Sequence, residues 1–240
     1  MADDFYLTSE NSAAEAQWLI ESVEKPWSRS KYANYAAAII PRGFAAYTRL
    51  FHPAYLEDED REITWSEITK YTGRTPHSQM QWHTIANFNN SDKCLKGLTA
   101  PYTGRLPERQ AKILKEILRK YTSTPDNCYF AIWDGWGFPE LEKLTNKTAR
   151  FHLPDRSYYL IKGRIDTASI QTPSVPIQAA GIWWPADRAW CAATEVDMMW
   201  TYIGGTEDCI NEILADNRLE AWKASLDDRV DINGDCINNI

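Results

Sequence analysis

The usual signatures of catalysis are missing from this chain. There is no GxGxxG dinucleotide loop, no phosphate loop and no GxSxG nucleophile turn. The four histidines, His52, His77, His83 and His152, have no zinc-site spacing, and His77 and His83 would fall on different faces of a helix. No metal, cofactor or catalytic triad is therefore expected. Cysteine is also sparse. Cys94, Cys128, Cys191, Cys209 and Cys236 are odd in number, widely spaced and form no CxxC pair. That pattern excludes a disulfide framework and predicts free thiols. No apolar run approaches the length of a membrane-spanning helix. The opening "MADDFYLTSENSAAEAQ" lacks the basic start and apolar stretch of a secretory signal, so a cytoplasmic location is expected. Dense Lys/Arg runs are absent and the formal charge is −7, which argues against a nucleic-acid partner.

What is present is an ordinary globular balance, with 44% hydrophobic and 25% charged residues, and the chain is long enough to bury a core without disulfides or metals. No repeat, low-complexity tract or linker divides it. One domain over 1–240 is expected, with 1–11 and 227–240 loosely ordered. Residues 12–24 predict a first helix, with Ser12 and Glu15 spaced as a capping box. "YAAAIIPRGFAAYTRLFHP" predicts strands over 35–40 and 44–51, the second covered on both faces and so central. "TWSEITKYTGR" predicts a short helix opened by Thr64 and Glu67 and closed by Gly73. Residues 77–88 read as another helix, and 89–106 as a mobile loop. Residues 107–121 give the clearest helix, with Pro107 at its start and an apolar stripe of Ile113, Leu114, Ile117, Leu118 and Tyr121. Later strands are predicted at 128–133, 157–163, 181–184, 189–197, 199–203 and 218–222. Gly204-Gly205 reads as a turn before a helix capped by Thr206. This order predicts an α+β fold, a mainly antiparallel sheet with helices packed on one face.

Tryptophan is the conspicuous surplus, at eleven residues, and four of these lie in "GIWWPADRAWCAATEVDMMWTY" (181–202). Period-two geometry puts Glu195 and Asp197 on one face of a strand, about 7 Å apart. In "YFAIWDGWG" it puts Phe130, Ile132 and Asp134 on one face, opposite Trp133. Should the two strands adjoin, Asp134, Glu195 and Asp197 would form a carboxylate cluster suited to acid–base work or cation binding. The alternative is the wet face of a sheet. Trp133, Trp136, Trp183 and Trp184 sit beside Gly or Pro at strand ends and are candidates for an exposed binding surface. Asp187 reads as a turn residue. Arg188 reads either as an ion-pair partner of Glu195 or Asp134, or as an anion clamp. The tail "DINGDCINN" places Asp231, Asn233 and Asp235 at the first, third and fifth positions of a calcium loop, but Cys236 replaces the turn glycine.

The segments "FAAYTRLFHPAY", "TGRTPHSQMQWH", "YFAIWDGWG" and "WWPADRAWCAATEVD…TYIGG" resemble a family of bacterial proteins abundant in actinobacteria, over most of residues 35–215. That resemblance implies no activity, cofactor or catalytic residue. The sheet-plus-helices profile is similar to that of cytoplasmic immunity proteins of the SUKH type. The expectation is thus a cytosolic protein-binding protein, immunity- or antitoxin-like, acting through an acidic and aromatic surface. The competing expectation is an enzyme or small-ligand binder using Asp134, Glu195, Asp197 and Arg188.

Overall fold

The computed structural model of the chain describes residues 8–9, 12–86, 95–137, 148–169 and 180–238. The expected loose order of 1–7 and 10–11 lies outside these residues, as do residues 89–94 of the loop expected over 89–106. Twelve strands are described: β1 Thr8–Ser9, β2 Ala46–Phe51, β3 Ala54–Leu56, β4 Arg61–Ile63, β5 Leu98–Thr99, β6 Cys128–Trp133, β7 Arg150–Leu153, β8 Arg156–Gly163, β9 Ala180–Pro185, β10 Cys191–Ala193, β11 Trp200–Gly205 and β12 Ala221–Ala224. Helices are α1 Gln17–Ser22, α2 Trp65–Thr72, α3 Trp82–Ile85, α4 Glu108–Leu118 and α5 Glu207–Ala215. The fold is α+β. Its main sheet is antiparallel throughout, in the order β1-β8-β6-β9-β10-β11-β2-β12, with β7 paired to β8 beside β1. A second antiparallel sheet runs β4-β3-β5.

Alternation along the central strands feeds two apolar layers. Ala46, Leu50, Phe130, Ile132, Trp183, Ala192 and Ile203 point one way. Tyr47, Phe51, Tyr129, Ala131, Ile182, Trp184, Cys191 and Tyr202 point the other. The two longest helices pack on the first face: α4 contributes Ile113, Leu114, Ile117 and Leu118, and α5 contributes Cys209, Ile210 and Ile213. The second face is also covered, by Leu19 of α1, Trp65 and Ile68 of α2, Ile85 of α3 and Val230. Strand β2 lies between β11 and β12 and every residue in it is buried, as its two-sided apolar pattern predicts.

The Thr64 capping box forms: Thr64 N–H donates to Glu67 Oε2 at 2.9 Å, Glu67 N–H donates to Thr64 Oγ1 at 3.1 Å, and Gly73 ends the helix at φ 69°. Four expectations are corrected. Residues 35–40 form no strand. Ala36–Ala38 is a 3₁₀ turn whose Ala36 and Ala37 N–H groups donate to the carbonyls of Asp228 and Leu226, a role small residues fill easily. The helix at 77–88 shrinks, within the described residues, to α3. The strand at 189–197 stops at Ala193. Gly204-Gly205 ends β11 rather than turning, paired with Tyr47 and Ala46 of β2; the glycine at 204 makes room for the Phe44 ring, which would lie 2.4 Å from an added Cβ.

The tail, too, is ordered through Asn238 and packs against residues 34 and 75–81. Asp235 accepts from His77 Nε2, Gln81 N–H and Asn238 N–H at 2.9, 3.2 and 2.8 Å. Asp231 accepts from Asn34 N–H and from Arg229 at 3.0 and 2.6 Å. These donors occupy the carboxylates that a calcium loop would have turned inward. Among the described residues no group of His, Cys, Asp and Glu is arranged to hold a metal ion.

Candidate functional site

Strand β9 separates β6 from β10, so the two segments do not pair directly. Their ends nevertheless meet, through a residue the sequence did not single out. Arg156 opens β8, directly after the Pro154-Asp155 turn of the β7–β8 hairpin. Its Nε donates to Glu195 Oε1 at 3.0 Å and its Nη2 to Asp197 Oδ2 at 2.8 Å. The same guanidinium lies 5.6 Å from the Trp133 ring centroid, and Trp133 meets Trp136 edge-on at 5.6 Å. Glu195 also accepts from the Asp197 N–H at 2.7 Å, which tightens the β10–β11 turn. Tyr158 pairs with Trp133 across β6 and β8. Burial pushes its phenol up, the carboxylates of Glu195 and Asp134 add to that rise, and Arg156 opposes it. Asp134, Glu195, Asp197, Trp133 and Trp136 thus share one neighbourhood. Arg156 was illegible because its partners lie 39 and 41 residues away in sequence.

Other candidates fall elsewhere. Trp183 and Trp184 are buried on opposite faces of β9 and contribute to the core, not to a surface. Trp184 stacks on Tyr129 at 5.7 Å, and Trp183 meets Trp190 edge-on at 6.4 Å. Asp187 is tied to the 122–124 loop, accepting from Ser123 N–H at 2.7 Å and from the Thr122 hydroxyl at 2.9 Å. Partial burial would raise its carboxyl, but these hydrogen bonds prevail and hold it below the ordinary range. Arg188 pairs with neither Glu195 nor Asp134. It sits in the β9–β10 turn, at the other end of β10, with its guanidinium 5.5 Å from the Trp18 ring centroid. Cys128, Cys191 and Cys209 are buried free thiols, all raised by burial, the first and last to about 12. Cys94 lies outside the described residues.

Two adjoining concavities flank the Arg156 clamp. A cavity of about 220 Å³ is bordered by Arg156, Tyr158, Glu195, Asp197, Met198 and Trp27. An open groove of about 610 Å³ is bordered by Trp27, Tyr32, Trp82, Met199, Trp200 and Ile232. Trp27, Asp197 and Met198 border both and form the saddle between them. Large apolar side chains stand in solvent here: Trp27 is 48% exposed, Tyr32 70% and Ile232 66%. Trp27 also holds a left-handed backbone, φ 59°, which an indole-bearing residue rarely adopts. Sequence reasoning passed over "KPWSRS"; Pro26 beside a tryptophan in a polar loop was its only signal.

Behind the groove lies Arg49, fully buried. It donates to the carbonyls of Ser78 and Met80 at 2.8 and 3.1 Å and lies 3.8 Å from the Trp200 ring centroid. Burial lowers its pKa to about 10, so the charge persists at neutral pH. The tail fixes the front wall. Arg229 donates to the Tyr32 carbonyl at 3.2 Å, and Asp231 holds the Asn34 N–H.

Among the described residues, no helix is long and apolar enough to cross a membrane. Compared with known proteins, the chain matches no family model, no curated protein and no solved structure.

Proposed function

We propose that this chain is a cytosolic protein-binding module that docks a partner on the groove around Trp27, in the manner of an immunity or antitoxin protein. The observation that carries this reading is the exposed, backbone-strained Trp27 at the saddle, flanked by Tyr32, Met198, Met199 and Ile232. Strain of this kind costs on the order of 1–3 kcal/mol and persists where the surroundings impose it, often at functional sites. Tryptophan and tyrosine supply contact area at low entropic cost, and thioethers adapt to a partner's shape. This is an acidic and aromatic face, but built mostly from tryptophans other than those the strand ends suggest.

The small-ligand reading retains one support: Glu195 and Asp197 line a single cavity with Arg156 and Tyr158. Against it, one guanidinium already engages both carboxylates, leaving neither poised for proton transfer. The volume also falls below the roughly 300–1,000 Å³ of most ligand pockets.

Photo-crosslinking tests the proposal. With a benzophenone residue at position 32, a discrete crosslinked partner should form in a lysate of the native host, and it should be lost in the Trp27→Gly background. Crosslinking that ignores residue 27 would refute the groove as the docking face.

A further inference from the structure

The saddle has a definite charge. Two carboxylates, Glu195 and Asp197, share one cation, Arg156, and Asp155 borders the same cavity. The local balance is therefore negative. Asp197 is the outermost of the group, with 77% of its side chain exposed, and it borders both concavities. By contrast, Asp231 on the far rim is matched by Arg229, and Lys31 lies over the Tyr32 ring, 4.7 Å from its centroid. The two carboxylates thus exceed the one guanidinium they share, and Asp197, the more exposed of them, lines the same groove as Trp27, Trp82 and Tyr32. Aromatic faces next to a carboxylate attract organic cations, through the ring quadrupole and through direct ion pairing. Met198, Met199 and Ile232 line the same groove and suit aliphatic neighbours of that cation.

We infer that the groove takes an arginine or lysine side chain, presented by an apolar segment of the partner protein, with its cationic head lodged between Trp27 and Asp197. This rests on the groove being a protein-docking face and adds the chemistry of what docks there. Arg156 is held back by its two carboxylates and by the Trp133 ring, so it lines the cavity wall without filling the saddle. The whole chain carries a formal charge of −7, which favours encounter with a basic partner at low salt.

Display of random dodecapeptides on the full chain separates the two levels of the claim. Trp27→Gly removes the ring and places glycine at a positive φ that suits it, so the fold is retained. Asp197→Asn removes an exposed carboxylate together with its solvated ion pair to Arg156, a loss small enough for the fold to be retained. The expected result is a set of binders that need Trp27 and carry Arg or Lys flanked by aliphatic residues. Their affinity should fall about tenfold in Asp197→Asn, and also when ionic strength rises from about 0.05 to about 0.5 M. Binders that need Trp27 but carry no basic residue, or that ignore Asp197, would overturn the cation inference and leave the docking face intact. If no binders depend on Trp27, both are overturned.

Discussion

Strain and saturation are written into single residues of this molecule. Arg188, exposed in the β9–β10 turn, has φ 54° and makes its visible contact with the Trp18 ring. Arg188→Gly should hold or raise stability, by up to about 1 kcal/mol in a urea titration, because glycine occupies that region freely. Asp235 is the converse case. Burial would raise its carboxyl, but hydrogen bonds from Asn238, Gln81 and His77 outweigh that and hold it below the ordinary value. A depressed folded pKa contributes stability that is complete above the unfolded value, near 4, and is lost as pH falls through the folded one. Melting temperature should therefore decline below about pH 4, and Asp235→Asn should flatten that decline while lowering stability at pH 7 by roughly 2 kcal/mol. Equal slopes in the two proteins would show that other carboxylates govern the acid limb. At Gly204, where an added Cβ would lie 2.4 Å from the Phe44 ring, Gly204→Ala should cost about 1–3 kcal/mol.

At the scale of elements, what could be read in advance was whatever a short window decides. The Thr64–Glu67 spacing, the α4 stripe and the two-sided pattern of β2 each depend on neighbours within a few residues, and each formed. Arg156 depends on Glu195 and Asp197, and no window spans them. Trp183 and Trp184 looked like rim residues because Pro185 follows. Pro185 nevertheless ends β9 within the ladder, opposite Cys128, and both rings stay inside. The tail shows a different confusion. An Asx turn and the start of a calcium loop share the same aspartate spacing. Here the Asn233 and Ile237 N–H groups donate to Asp231 and Asp235, so the turn explains the pattern. Loss of the α2 cap, Thr64→Ala, should cost about 1 kcal/mol by chemical denaturation. The Arg156 clamp is partly solvated, so Arg156→Met should cost about 1 kcal/mol or less, and a cycle with Asp197→Asn should show coupling that fades in high salt.

Across the whole molecule, the last described segment closes the fold. Strand β12 pairs with β2, and residues 226–238 bind residues 34–37 and 75–81. Deleting residues 231–240 should remove Asp235 and its partners together. The expected loss is several kcal/mol, lowering the melting temperature by on the order of 10 °C. The same deletion removes Asp231, which holds the Asn34 N–H and Arg229 at the loop bearing Trp27 and Tyr32, so any partner binding should weaken with it.

That arrangement also sets a timetable for biosynthesis. Until residues 221–224 have left the ribosome the β2 edge they pair with is bare, and until Asp228 and Asp235 follow, Arg49 lacks the two carboxylates near it, so the emerging polypeptide carries an open strand edge. The sheet is completed only once this segment has emerged, and a chaperone that shields nascent chains should raise the fraction that reaches the native state.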